Sequence, residues 1–161
     1  MSVEWAVLAS PVGDLGIAVD GLGLCAVRFG GADGRMGRAA PDDRLTVVMG
    51  QLREYFAGIR TEFALPTSVR TGSSFDHAVW AEIARIPYGE TRSYGEIAVA
   101  VGDRLAARAV GAACNRNPLP IIVPCHRVVG ADGTLGGFGG GLLRMVWLLQ
   151  HEAKVFIENL A

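Results

Sequence analysis

Residues 124–127 read Pro124-Cys125-His126-Arg127, and a thiol directly followed by an imidazole is the feature of this sequence best suited to chemistry. Cysteine attacks as the thiolate, so a base must take its proton. Adjacent residues on a strand or helix do not face each other, and His126 is therefore expected to reach the Cys125 sulfur through a water. A carboxylate on the far ring nitrogen would fix the tautomer and make the imidazole a better proton acceptor. His151-Glu152, on the last predicted helix, supplies a candidate in Glu152. Pro120 and Pro124 stiffen the approach to the cysteine. Cys25 and Cys114 read as small buried hydrophobes, and three cysteines at these spacings give neither a disulfide framework nor a CxxC pair.

Other chemistries fit less well. Cys114, Cys125, His126 and His151 match no zinc-ligand spacing. The seven glycines between Gly130 and Gly141 lack the Gly-Lys-Ser/Thr ending of a phosphate loop and do not present G-x-G-x-x-G between a strand and a helix. A loop lining a pocket through its backbone N–H groups suits them better. The run from Arg104 to about Asn115 reads as a helix with Arg104 and Arg108 on one face and small residues elsewhere. Such a backbone can approach another surface closely, either a groove or a neighbouring helix.

The elements that would position these residues follow from periodicity. Residues 3–29 alternate apolar and polar around turn signals at Ser10-Pro11-Val12-Gly13 and Asp20-Gly21-Leu22-Gly23, which predicts three antiparallel strands. From Asp43 the spacing of Leu45, Val48, Leu52, Tyr55 and Phe56 is helical, with a stop at Gly58. A second half begins near Thr71 with Phe75, Val79, Trp80, Ile83 and Ile86 at helical spacing, ended by Pro87 and Gly89. Ser93 and Glu96 form a capping box for a short helix through Val101. Gly102 and Asp103 are expected to make a tight turn, with Asp103 as the N-cap of the helix from Arg104, which completes a helix-turn-helix pattern. Residues 121–123 read as a buried strand, and the last helix runs from Leu142 to about Val155.

The chain has 161 residues, half of them hydrophobic, a formal net charge of −1 and no apolar run long enough for a membrane span. No global basic field advertises nucleic acid. Locally, residues 92–127 carry five arginines against two acidic side chains, and Lys154 is the only lysine. Arginine is the cation suited to bidentate phosphate and base contacts. The N-terminus has Glu4 and no basic residue before its apolar stretch, unlike a secretory leader, so the cytoplasm is the expected location.

Four ordered motifs resemble the O6-alkylguanine-DNA alkyltransferase family. Asn117-Pro118 through Ile121-Ile122-Val123-Pro124-Cys125-His126-Arg127-Val128-Val129-Gly130 is similar to its active-site signature, with the acceptor at Cys125. Ile86-Pro87-Tyr88-Gly89-Glu90-Thr91-Arg92-Ser93-Tyr94-Gly95-Glu96-Ile97-Ala98 and Ala106-Ala107-Arg108-Ala109-Val110-Gly111 resemble its helix-turn-helix. Ser10-Pro11-Val12-Gly13 and Tyr55-Phe56-Ala57-Gly58 resemble its N-terminal half.

The resemblance implies an α+β fold: a ribonuclease-H-like sheet with one helix over residues 1–70, and a mainly helical DNA-binding domain over 71–161. It implies direct-reversal repair, in which one molecule irreversibly takes the alkyl group of O6-alkylguanine, or of O4-alkylthymine, onto Cys125. His126 and Glu152 would supply the thiolate, Tyr94 would protonate the departing base, and Asn117 would be a hinge. The partner would be double-stranded DNA bound through the minor groove by a monomer. Arg108 would fill the stack left by the flipped base. Ser93, Tyr94, Arg104, Ala106, Ala109, Gly111 and Arg127 would complete the DNA surface, with Val128, Phe138, Gly139 and Gly140 around the base. No cofactor and no metal are expected. Phe138 where the family usually has tyrosine, Met145 where a basic residue is frequent, and Asp76 where glutamine is common are departures from the pattern. Two other classes stay open: a cysteine hydrolase that turns over through an acyl-enzyme, and a helix-turn-helix module that senses damage to regulate transcription.

Overall fold

The computed structural model describes residues 3–31, 43–135 and 140–160. The chain divides into two compact units, residues 1–70 and 71–161. In the first, β1 (Glu4–Leu8), β2 (Leu15–Val19) and β3 (Leu24–Phe29) form an antiparallel meander, with Trp5 opposite Ala18 and Ile17 opposite Val27. The β2–β3 turn is built by Asp20, whose carboxylate accepts from the Leu22 and Gly23 N–H groups at 2.8 and 3.1 Å and from the Ser68 hydroxyl at 2.6 Å. A Cβ on Gly23 would sit 2.4 Å from the Pro66 carbonyl oxygen, so this approach requires glycine. Residues 66–68 run beside the start of β3, with Leu24 N–H donating to Pro66 and Ser68 N–H to Leu24. Helix α1 (Asp43–Phe56) packs on β1 and β2 through Leu45, Val48, Leu52 and Tyr55, the buried face of the expected amphipathic pattern.

The second unit contains α2 (Ser74–Ala84), β4 (Arg92–Ser93), α3 (Tyr94–Ala100), α4 (Ala107–Asn115), a 3-10 turn (Cys125–Arg127), β5 (Val128–Val129) and α5 (Leu142–Glu158). Complete capping boxes open α2, with Ser73 and Asp76, and α3, with Ser93 and Glu96. Val79, Ile83, Ile97, Val110, Ala113, Met145 and Leu148 are buried. The two-residue strands β4 and β5 pair in parallel, Arg92 with Val128 and Ser93 with Val129, which fastens the entrance of α3 to the segment after Cys125. Among the described residues no helix is long and apolar enough to cross a membrane.

Three sequence expectations need correction. Helix α4 begins at Ala107, not Arg104: the Asp103 carboxylate accepts from Leu105 N–H and its carbonyl from Ala106 N–H, each at 3.0 Å, so Asp103 closes a tight turn instead of capping the helix. Arg104 therefore lies in the turn, and the helical face shared by Arg104 and Arg108 does not exist. Residues 121–123 form a turn and not a strand. Ile121 takes φ 75° there, while Val123 N–H bonds the Leu119 carbonyl at 2.8 Å. A β-branched residue avoids positive φ, and burial of the Ile121 side chain offsets that strain. The last helix extends to Glu158, three residues past the expected end.

The C-terminal turn of α4 is held from two sides by α2. Trp80 Nε1–H donates to the Ala113 carbonyl at 2.8 Å. Buried Asp76 accepts from Arg116 at 2.6 and 3.1 Å while its capping bonds to Ser73 persist. The Arg116 hydrogen bond, assisted by the capping bonds, lowers the Asp76 carboxyl from 3.8 to about 2. A lowered acid stabilises the fold above its unfolded pKa and loses that contribution as pH falls through the folded one. The stability difference between the natural protein and Arg116→Met is therefore expected to be constant above about pH 4 and to shrink towards about pH 2, measured by urea denaturation across that range.

Candidate active site

Cys125 occupies the first position of the 3-10 turn, after Pro124. Its approach is shaped by Asn117, just past the end of α4. Asn117 Nδ2–H donates to the Val123 carbonyl at 2.8 Å and to Cys125 Sγ at 3.1 Å, while Oδ1 accepts from Leu119 N–H at 2.9 Å. Because the backbone N–H of Leu119 demands an acceptor, the amide orientation is determined, and its N–H face must point at the sulfur. One side chain thus closes the 117–125 loop and touches the Cys125 sulfur.

His126 is fully buried, and its Nε2 lies 2.7 Å from Glu152 Oε2. The carboxylate accepts, so Nε2 carries the proton and Nδ1 presents a lone pair. That Nδ1 is buried and has no protein hydrogen-bond partner. Glu152, from the middle of α5, also accepts from Arg127 Nε at 2.7 Å, Arg127 Nη2 at 3.0 Å and Gly89 N–H at 3.3 Å. Burial alone would raise the Glu152 carboxyl, but the His126 and Arg127 hydrogen bonds and charge hold it well below the usual range. Burial lowers the His126 pKa despite Glu152, which leaves a neutral imidazole as the resting form.

Sequence reasoning treated Cys114 as filler, but its thiol is buried near enough to act on that of Cys125. The Cys114 thiol, followed by burial, pushes the Cys125 thiol well above its ordinary value, and the Asn117 bond opposes the rise only in part. Cys125 is accordingly a thiol at rest. The available signal was weak: Cys114 follows Val110 by one helical turn, which identifies a buried face without identifying what it meets. Gly89, too, was not foreseen as a ligand of Glu152.

Tyr94 opens α3 and is half-buried. Its hydroxyl is raised by burial and then by the nearby Cys114 and Cys125 sulfurs. Gly111 on α4 lies against its ring, where an added Cβ would meet Cε1 at 3.7 Å. Tyr94, Arg108, Gly111, Ala112, Asn115 and Thr134 are among the residues that line a cleft of about 570 Å³. Arg104, Arg108 and Ala109 are exposed, whereas Ala106 is buried and the Ser93 hydroxyl is engaged in capping α3. Val128 is fully buried, and the Gly140 carbonyl accepts from Arg144 Nη1 at 3.0 Å. Phe138 and Gly139 lie outside the described residues.

Arg127 corrects the expected DNA surface. Its guanidinium is buried, with Nε and Nη2 on Glu152, Nη1 on the Ile86 carbonyl at 2.7 Å, and its face over the Tyr88 ring at 5.5 Å. A cation desolvated this way is fixed by its partners and cannot also reach a phosphate. Of the four residues once weighed as metal ligands, His126 has Nε2 committed to Glu152 and His151 stacks on Trp147 at 4.7 Å. Among the described residues no group of three or more His, Cys, Asp or Glu is arranged to hold a metal ion.

Two family models match the chain: "6-O-methylguanine DNA methyltransferase, ribonuclease-like domain" over residues 3–69 and "6-O-methylguanine DNA methyltransferase, DNA binding domain" over 74–154. A Mycobacterium leprae methylated-DNA--protein-cysteine methyltransferase is 50% identical over 126 residues, covering 78% of this chain and 76% of the relative. The protein of the same description from Mycobacterium tuberculosis is 44% identical over 153 residues, covering 93% and 92%. Crystal structures of the Mycobacterium tuberculosis O6-methylguanine methyltransferase, and of OGT from that organism in complex with DNA, superpose with TM-scores of 0.84 and 0.85 at 44% identity. They cover 95% of this chain and 94% of theirs, and 94% and 93%, respectively.

Removing the cation from the buried cluster would leave Glu152 underpaired, and breaking such a pair costs about 3–5 kcal/mol. Arg127→Met is therefore expected to lower unfolding free energy by about that amount in urea titrations, whereas Arg108→Ala, at an exposed position, changes it by less than about 0.5 kcal/mol. Equal stabilities for the two variants would restore Arg127 to the surface.

Proposed function

The chain belongs to the 6-O-methylguanine DNA methyltransferase family, and from that premise we propose that Cys125 accepts the alkyl group, with His126, Glu152, Asn117 and Tyr94 as its chemical apparatus. The protein carries out direct-reversal DNA repair by transfer of an alkyl group from DNA to one of its own cysteines. The observation that carries the assignment to Cys125 is the buried Glu152–His126 pair directly after that cysteine, with Nδ1 of the imidazole left as the basic nitrogen.

The reaction follows from these groups. Cys125 rests as a thiol, and its proton passes to His126 Nδ1, through one bridging water, as substrate arrives. The imidazolium so formed is stabilised by the Glu152 carboxylate on Nε2. Asn117 Nδ2–H stabilises charge on the sulfur as it develops. The sulfur attacks the alkyl carbon in line with the departing O6, a C–S bond forms as the C–O bond breaks, and Tyr94 gives a proton to the leaving guanine. Burial keeps Tyr94 protonated and thus able to donate. The product is a thioether, which has no electrophilic carbonyl or disulfide for water to attack, so each molecule acts once. O4-alkylthymine presents the same kind of alkyl–oxygen bond.

A sulfur cannot reach an alkyl carbon inside a stacked duplex, so the base must be flipped out. The exposed small-residue surface of α4, with Ala109 and Ala112 flanking Arg108, supports close approach to the minor groove, with Arg108 filling the vacated stack. Ser93 and the exposed Arg104 are assigned to the same DNA surface. Val128 and Gly140 are assigned to the wall beside the base. The protein works as a cytoplasmic monomer on double-stranded DNA carrying alkylated guanine, without metal or cofactor.

Intact mass after mixing with methylated duplex DNA is expected to rise by one methyl group and no further, with the methyl on the tryptic fragment 117–127. Cys125→Ser should lose transfer and retain DNA binding. Methyl on Cys25 or Cys114 would overturn the assignment. Because flipping opposes a few kcal/mol of stacking, Arg108→Ala should slow repair of duplex DNA about tenfold or more beyond any effect on free O6-benzylguanine, and equal losses would remove Arg108 from the flipping step.

A further inference from the structure

Arg116 ends α4 and has no part in the alkyl transfer above, yet it immediately precedes the residue that touches the Cys125 sulfur. Its guanidinium grips both oxygens of Asp76, with Nη2 on Oδ1 at 2.6 Å and Nε on Oδ2 at 3.1 Å. Such a fork fixes the direction of a side chain as well as its position. Asp76 is itself immobilised in the first turn of α2. It is 2% exposed, its Oδ2 also accepts from Ser73 N–H at 3.1 Å, and its own N–H donates to the Ser73 hydroxyl at 3.1 Å. The Arg116 N–H closes α4 on the Ala112 and Ala113 carbonyls at 3.2 and 3.1 Å, and Trp80 of α2 holds the same Ala113 carbonyl. One peptide bond later, Asn117 N–H bonds the Cys114 carbonyl at 3.2 Å, and Asn117 Nδ2–H reaches Cys125 Sγ at 3.1 Å.

We propose that Arg116, held by Asp76, is a positioning residue for the transfer: the ion pair fixes the end of α4 against α2 and thereby aims the Asn117 amide at the Cys125 sulfur. This rests on the reading of Cys125 as the acceptor. Asn117 serves three partners at once, the Val123 carbonyl, the Leu119 N–H and the sulfur. Sulfur is the weakest hydrogen-bonding group of the three, so a displaced α4 end gives up that bond first. A donor on the sulfur favours the thiolate over the thiol, and its loss slows transfer most at low pH. The ionisable groups near that sulfur are His126 in the same turn, Cys114 of α4 and Tyr94 of α3, and the substitutions that break the ion pair alter none of them. Charge acting through space would behave differently. Removing the cation and removing the anion change the field in opposite directions, whereas either one releases the end of α4.

The test compares Arg116→Met, Asp76→Asn and Asn117→Ala in the full chain, with saturating protein and a short duplex carrying one O6-methylguanine, at a temperature where circular dichroism shows each variant folded. Single-turnover transfer at pH 7 should fall roughly three- to tenfold in Arg116→Met and by a smaller factor in Asp76→Asn, as befits a charge-assisted bond on the sulfur that is weakened and not deleted. In both variants the pH at which the rate reaches half its alkaline plateau should rise. A role in stability alone would lower the unfolding midpoint and leave the rate and its pH profile in the folded protein as they were. Adding Arg116→Met to Asn117→Ala should slow transfer no further, because Arg116 acts through Asn117. Unchanged rates and pH profiles in Arg116→Met, opposite shifts in the Arg116 and Asp76 variants, or full additivity with Asn117→Ala overturns the proposal. If Asn117→Ala does not fold, the direction of the two other single variants decides it. Methyl on a cysteine other than Cys125 in the natural protein would overturn the acceptor reading, whereas each failure above leaves that reading standing, so the two are distinct.

Discussion

Glu152 ties the last helix to the turn that carries Cys125. A carboxylate removed from water costs several kcal/mol unless its oxygens are matched by donors. Here one oxygen faces His126 and Arg127 Nη2, and the other faces Arg127 Nε and the Gly89 N–H. The four donors come from two separate segments, so the charge is satisfied only when α5, the Cys125–Arg127 turn and the Tyr88-Gly89 bend are all in place. Arg127 extends the same constraint to the Ile86 carbonyl, two residues past the end of α2. The group paired with His126 is therefore also the group that closes the fold around it.

Asn117 performs the matching task on the other side of the sulfur. Its amide links α4 to the 117–125 loop, and α4 is itself pinned to α2 by Trp80 and by the Asp76–Arg116 pair. The electrostatic outcome is a protected resting state: a thiol kept protonated by Cys114 and by burial, next to an imidazole kept neutral by burial. Such a pair is unreactive until the proton moves, and a protein whose nucleophile is spent in one event benefits from a cysteine that does not react with passing electrophiles.

Much of the fold was legible because local rules and tertiary needs agreed. The three strands were bracketed by turns whose Asp20 and glycines do what such residues ordinarily do, and the amphipathic face of α1 is the face that is buried. The capping box at Ser93 and Glu96 is complete. The disagreements occur where short-range signals compete. Asp103 could cap a helix or close a turn, and the turn prevailed with Leu105 as its donor. Residues 121–123 have strand-like composition, but Asn117 claims the Val123 carbonyl and bends the backbone through a positive φ at Ile121.

The sequence by itself determined the chemistry available: a cysteine followed by a histidine, a carboxylate on a helix further along the chain, and an arginine-rich segment with small residues suited to a close surface. Residue type and spacing settle which groups exist and which element carries each. Tertiary structure decided what each group faces. Arg127 was one arginine among five in the basic segment, and only packing turned it inward against Glu152 and Tyr88. Cys114 was one small residue among many on α4, and only the fold brought it near enough to raise the Cys125 thiol. Solvation explains the division, because whether a charge or a thiol is reactive depends on the water it has lost and the partners it has gained, which come from segments distant in the chain.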